Sequence, residues 1–420
     1  LISMDLNRLD RAESLEIEAS IGSGVLPRQM IEGIAERADG IPLYIEELTK
    51  SVLEAETSGN DGVDGGAIEA IPTSLQASLI ARLDRLGSAR EVVQIGAVIG
   101  RSFPYDLAAA VLGGSHAASQ AALERAVDAE LISCRGIPPE AIYSFKHSLV
   151  QDTAYETLLR STCQRYHGRV ADVLLHEFPA RALAEPEVVA RHFSAGKQPR
   201  KAVDHWFEAG QRANERSELV EAVSNLRQGL SELLQLEEGP VRSEQELDFR
   251  LALGASLLAV EGWSAASVEA NYQRAYVLSQ SSDDSAKKVN VLRGLGNVFF
   301  LKGEVGKSRE LAQRQLSIAL AEDNRDLAMG GYRSVGMCSF FTGDFSAALA
   351  DLQRANEIYD PASHGMQKFS QGTDPAVIGL SMTAWVHWFL GDGAAARDNI
   401  HQALAHGDAI QHPFSQAYAH

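Results

Sequence analysis

The chain is short of cysteine, has no long apolar run and carries no excess of positive charge. Its three cysteines in 420 residues, Cys134, Cys163 and Cys338, stand far apart, with neither a CxxC pair nor a nearby histidine pair. That spacing excludes a disulfide framework and a thiolate zinc site, and it fits a reducing cytoplasm. No segment approaches the roughly 20 apolar residues that cross a bilayer, and the opening "LISMDLNRLD" lacks the basic and apolar regions of a secretory signal. A cytoplasmic protein without membrane contact is expected. The balance of 38 Lys and Arg against 56 Asp and Glu, a formal net charge of −18, repels phosphate backbones, so nucleic acid is not an expected partner.

Catalytic signatures are missing as well. There is no HExxH, no GxSxG and no apolar strand ending in paired carboxylates that could hold Mg²⁺. The twelve histidines are scattered, and His205, His387 and His401 fit helices better than a metal site. The stretch "GEVGKS" (303–308) resembles a phosphate-binding loop, yet that motif needs glycine where Leu301 stands. No catalytic residue, no metal and no cofactor are expected for this stretch of chain alone.

What remains is mostly helix. A composition of 45% hydrophobic and 22% charged residues is globular, and the length implies several domains or a repeat array. In residues 1–55, Met30, Ile31, Ile34, Ala35 and Ala38 form an apolar stripe that Gly40 stops, and Pro42 suits the first turn of the next helix. On that helix Ile45, Leu48, Val52 and Leu53 share a face, leaving Glu46, Glu47 and Lys50 outside. Residues 56–70, "ETSGNDGVDGGAIEA", read as a mobile loop. From 71 to about 180 several short helices lead into "LISCRGIPPEAIYSFKH", a hairpin around a Gly-Ile-Pro-Pro turn. That order is the order of a winged helix. The helix that would enter a groove, "SQAALERAVDAEL", sets Arg125 against Glu124, Asp128 and Glu130, the wrong sign for DNA, so the domain reads as a packing module.

Residues 181–420 repeat. The frame of a tetratricopeptide repeat needs a large residue at position 4, a small one at 8, and small ones at 20 and 27, so that two helices approach closely. Trp206 and Gly210 precede Ala222 and Gly229; Tyr332 and Gly336 precede Ala348 and Ala355. Leu292 and Gly296 open a third copy with Ala312, Leu380, Thr383 and Ala384 a fourth with Ala396 and Ala403, and Leu253 and Gly254 a looser fifth with Tyr272 and Ala275. Copies lie about 40 to 48 residues apart, longer than the usual ~34. The expected fold is all-α with one small β-hairpin: a winged-helix domain followed by a tetratricopeptide-like α-solenoid of about five helix pairs.

Three stretches carry a family resemblance. "GIPLYIEELTKSVLE" (40–54) resembles the segment that follows the nucleotide-binding core in signal-transducing ATPases with numerous domains. "IPTSLQASLIARLDRLGSAREVVQIGAVIGRSF" and "YSFKHSLVQDTAYETLLRSTCQRYHGRVADVLL" are similar to their winged-helix region, and "PEVVARHFSAGKQPRKAVDHWFEAGQRANERSELVEAVSNLRQGL" to the start of their repeats. The resemblance spans essentially the whole chain, and points most closely to bacterial proteins that join a class III nucleotide cyclase, an AAA-like ATPase and tetratricopeptide repeats. It implies that this chain is the lid (1–55), winged helix (71–180) and repeat array (181–420) of such a protein, with the cyclase and phosphate loop upstream of Leu1. It implies ATP or ADP as cofactor of the parent, a homodimeric parent, and a protein or peptide partner on the concave face of the repeats. In that family the Gly-x-Pro turn leans against the nucleotide, which marks Gly40 and Pro42, and in some relatives a winged-helix histidine reaches its phosphates in the closed state, which marks His147. Arg101 and Arg160 are weaker phosphate candidates. Two other readings stay open: the ATPase and repeats of a LuxR-type transcription regulator, and a scaffold that binds no nucleotide.

Overall fold

The computed structural model describes residues 9–22, 26–57, 74–262, 265–365 and 373–420. It divides into two compact units, residues 1–184 with 195–197, and residues 185–194 with 198–420. Helices build both units, and three short strands form the one sheet among the described residues. The all-α class with a small β element therefore holds, with one strand more than the expected hairpin.

The first unit begins with α1 (Arg11–Gly22), α2 (Arg28–Ala38) and α3 (Pro42–Thr57). Their small core is the stripe that helical spacing marks: Met30, Ile34, Leu48 and Val52, closed by Leu26. Between α2 and α3 the backbone turns through two left-handed residues, Asp39 (φ 47°) and Gly40 (φ 69°), and a glycine adopts that geometry without strain. Helix α3 runs on to Thr57, so the first two residues of the loop expected at 56–70 are helical, and the rest of that stretch lies outside the described residues.

The unit continues with α4 (Leu75–Arg85), α5 (Arg90–Ile99), β1 (Ser102–Pro104), α6 (Tyr105–Leu112), α7 (His116–Asp128), β2 (Ile132–Arg135) and β3 (Ile142–Phe145). It ends with α8 (Ser148–Glu156), α9 (Arg160–Glu177) and α10 (Pro179–Ala184). The sheet order is β1-β3-β2, antiparallel throughout, with Ser102 and Ser133 both opposite Ser144. Strand β1 escapes the sequence because three residues are too few to show a period of two. Pairing with β3 alone makes it a strand. The core beneath joins Leu79, Leu83, Val92 and Val93 to Phe103, Leu123, Tyr143 and Phe145.

The second unit starts with α11 (Pro186–Ala195) and then stacks helix pairs: α12 (Pro199–Glu215) with α13 (Leu219–Leu233), α14 (Pro240–Glu261) with α15 (Ala266–Ser279), and α16 (Ser285–Leu301) with α17 (Val305–Ala321). After α18 (Arg325–Phe341) with α19 (Phe345–Ile358) comes the short α20 (Pro361–His364), then α21 (Pro375–Phe389) with α22 (Gly393–Ile410), and α23 (Pro413–Ala419). These are the five pairs that the repeat frame predicts. A Cβ on Gly229 would lie 2.9 Å from the Cβ of Trp206, one on Gly254 2.6 Å from Cζ of Tyr272, and one on Gly336 2.9 Å from Cγ of Leu352. The small positions are therefore set by close helix approach. In the third copy the tight position moves: Gly296 has ordinary clearance, and Gly294 instead sits against the Tyr272 ring. First helices of successive pairs touch one another, α12 with α14, α14 with α16, α16 with α18 and α18 with α21, which places them as the inner layer of the array.

Candidate functional site

Gly40, Pro42 and His147 lie on separate elements of the first unit. The carbonyl of Gly40 accepts the backbone N–H of Leu9 at 2.8 Å, while Ile41 and Pro42 are exposed. His147 is half-buried at the entrance to α8, where its carbonyl accepts the N–H of Val150 at 3.2 Å. Helix α3 packs on α4, and α4 on α8, so the elements that carry the turn and the histidine are joined through α4. Arg101 and Arg160 are exposed.

The stronger feature of this unit is one that the spacing of α3 hides. Glu47, expected on the outside, is 2% exposed, and its carboxylate meets the guanidinium of Arg82, itself 1% exposed, on α4. The other guanidinium arm donates to the carbonyl of Ala129 at the end of α7, and the Ser78 hydroxyl donates to the Glu47 carbonyl at 3.0 Å. Arg85 donates to the Ser51 carbonyl at 3.2 Å. An apolar period sorts residues by hydropathy, so a buried charge that is paired across helices is assigned to the wrong face. The available sign was Arg82 itself, on the apolar side of α4 three residues from Leu79.

Lys50 reinforces the same junction, bonded to Glu46 on its own helix and to Glu130 beyond α7. Burial works against the Lys50 charge, but the hydrogen bonds to Glu130 and Glu46 outweigh it and hold its ammonium above the usual lysine range. The Lys50 hydrogen bond in turn pulls Glu130 below the usual carboxylate range, and Lys146, next to His147, reaches the same carboxylate at 3.4 Å. Arg125 is exposed and donates to the Ser88 hydroxyl at 3.1 Å.

In the second unit "GEVGKS" is a repeat turn. Gly303 takes the left-handed conformation (φ 79°), Lys307 pairs with Glu304, and its ammonium lies 5.2 Å from the centre of the Phe299 ring. Gly343 (φ 84°) and Gly391 (φ 86°) repeat that turn. Directly before the three turns stand Phe300-Leu301, Phe340-Phe341 and Trp388-Phe389, at the same place in three successive first helices. Their rings run on from pair to pair: Phe300 to Phe341 at 5.0 Å, Phe340 to Phe389 at 5.4 Å and Phe340 to Trp385 at 6.1 Å. On the same helices Arg293 and Arg333 occupy equivalent positions. Burial, with Arg293 as a like-charged neighbour, pushes Arg333 down to about 10, which leaves it a cation at neutral pH. Asp374, fully buried, accepts the Tyr359 hydroxyl at 3.0 Å and the Ala376 N–H at 2.9 Å, which fixes the start of α21. Among the described residues no three His, Cys, Asp or Glu side chains gather to hold a metal, and no helix is long and apolar enough to cross a membrane.

No family model matches the chain. It is 24% identical over 387 residues to uncharacterized protein R02095 of Rhizobium meliloti (strain 1021), covering 90% of this chain and 37% of that protein. The chain thus spans little more than a third of the length of that curated relative. Among solved structures it is similar to a signal transduction ATPase with numerous domains and a tetratricopeptide repeat sensor, PH0952 from Pyrococcus horikoshii, at 12% identity over 98% of this chain and 75% of that one, with a TM-score of 0.35. It is similar to a Rap protein complexed with competence and sporulation factor at 10% identity, 82% and 80% coverage and a TM-score of 0.43. A third, the apo form of RapI, is 15% identical over 50% of this chain and 71% of that one, with a TM-score of 0.42. The fold of the second unit is a tetratricopeptide-like helical repeat.

Proposed function

We propose that the chain is the sensing and regulatory portion of a larger ATP-dependent signalling protein. The repeats bind a protein or peptide on the inner face formed by their first helices. Residues 71–180 act as a winged helix and residues 1–55 as the lid of a nucleotide switch, which controls a linked nucleotide cyclase. The observation that carries this reading is the buried Glu47–Arg82 pair, which fastens α3 to α4. A lid tied in this way moves together with the domain behind it, and a two-state packing change is how a distant binding event is relayed. The order helix, strand, two helices, two strands from α5 to β3 supports the winged helix, and the exposed Glu124 beside Arg125 on α7, in a chain with a net charge of −18, supports a packing role for it rather than a DNA-binding one. The short share of the curated relative that the chain covers leaves room in such a protein for further domains.

The residues here fit a nucleotide in part. A left-handed glycine beside an exposed proline ring offers close apolar contact, and a half-buried imidazole offers one hydrogen bond to a phosphate. The phosphate loop belongs to another part of such a protein. The test is calorimetry of ATP and ADP on the full-length parent. His147→Ala should lower affinity about tenfold or more, as loss of a hydrogen bond to a charged group does, and Pro42→Ala should lower it by a smaller factor. Unchanged affinity in both variants would reduce the protein to a partner-binding scaffold.

A further inference from the structure

The first helices of the last three pairs carry an apolar row that their packing leaves uncovered. Leu301, Phe341, Trp385, Trp388 and Phe389 are between 51% and 70% exposed. Single exposed apolar residues are ordinary, whereas a contiguous row marks a docking surface. Continuity comes from Phe340, buried at the centre, whose ring meets Phe341 at 5.2 Å, Phe345 at 5.6 Å and Phe389 at 5.4 Å. Rings held this way lose little entropy when a partner covers them. Beside Phe341 and Phe389 the border of the row is acidic. Asp344 and Asp392, which cap the following helices through the N–H groups of Ala347 (3.2 Å) and Ala395 (3.0 Å), are exposed at its edge. Residues 325–420 hold nine Asp and Glu against five Lys and Arg.

We propose that this row docks a basic amphipathic segment of a partner protein, its apolar side chains lying on Phe341, Trp385, Trp388 and Phe389 and its Lys or Arg side chains facing Asp344 and Asp392. The proposal rests on the reading of the repeats as a partner-binding array. Charge selects the occupant: a chain with a net charge of −18 repels a second copy of itself and an anionic membrane, and attracts a cationic segment.

The experiment uses two synthetic 18-residue amphipathic peptides that share one Leu face and differ in a polar face of Lys or of Glu. Binding is followed by the tryptophan emission of the whole chain and by calorimetry. The Lys peptide should bind with a blue shift, at least tenfold more tightly than the Glu peptide, and more weakly as salt is raised. Trp388→Ala combined with Phe389→Ala should weaken it by about thirtyfold, the loss expected for aromatic anchors. Asp344→Asn with Asp392→Asn, which keeps both helix caps, should weaken it by roughly two- to fivefold, as for exposed ion pairs. Equal binding of both peptides, binding of neither, or a Lys-peptide affinity indifferent to the aromatic variant would overturn the proposal. The last of these would place partner binding elsewhere on the array and leave the broader reading standing. Self-association, or adsorption to phosphatidylcholine vesicles, that disappears in the aromatic variant would assign the row to a second copy or to lipid and would overturn the basic-segment proposal as well.

Discussion

Replacing Arg82 with methionine removes one half of a buried ion pair and strands the other. Arg82 and Glu47 are 1% and 2% exposed, so a lone Glu47 carboxylate could not recover its hydration without opening the junction. Removal of one partner from such a pair costs about 3–5 kcal/mol, a large part of the ~5–15 kcal/mol that stabilises a typical domain. The cost here belongs near the upper end, because Arg82 also donates to the Ala129 carbonyl, and an unpaired buried carbonyl costs about 1–3 kcal/mol more in such a site. With a urea slope near ~2 kcal/mol per M, the midpoint of the first unit should fall by roughly 2 M. Glu47→Leu should be similarly harmful. The double variant Glu47→Leu with Arg82→Met should recover most of the loss, since a well-packed apolar pair often matches a buried ionic one. Urea titrations of the four proteins, followed by far-ultraviolet circular dichroism, form a double-mutant cycle. Strict additivity of the two single losses, or single losses below about 1 kcal/mol, would show that the pair does not fasten α3 to α4, and the account of the lid would fall with it.

Glycine substitutions should separate packing from propensity in the repeats. Gly229→Ala places a methyl 2.9 Å from the Cβ of Trp206 and against the Phe249 ring and should cost ~1–3 kcal/mol; Gly306→Ala, where nothing lies within 4 Å, should stabilise by ~0.5–1 kcal/mol. Thermal melts decide between the two. His167, whose Nε2 lies 2.9 Å from the Tyr155 hydroxyl, is pushed by burial from 6.5 down to about 4. A depressed histidine means that the unfolded chain takes up the proton first. Stability from this site is therefore complete above pH 6.5 and falls as pH drops towards 4, and a His167→Gln variant should show less acid destabilisation over that window when unfolding is measured as a function of pH.

The sequence by itself determined the class, the helix stripes and the frame of the repeats. An apolar residue every three or four positions buries the same face whatever it packs against, and a small residue at a fixed repeat position is needed wherever two helices close up, as Gly210, Gly229, Gly254 and Gly336 do. Local turn chemistry was equally legible in Gly40-Ile41-Pro42. Tertiary structure decided the rest, because the forces involved join residues that are distant along the chain. Strand β1 exists only through its hydrogen bonds to β3. Glu47 left the surface because Arg82, 35 positions later, offered it a partner, and the third repeat found its tight contact at Gly294 because the Tyr272 ring of the preceding pair lies there. The aromatic row was written as Phe300-Leu301, Phe340-Phe341 and Trp388-Phe389. Only the stacking of α16, α18 and α21, which brings those pairs within ring contact, turned three dipeptides into one surface.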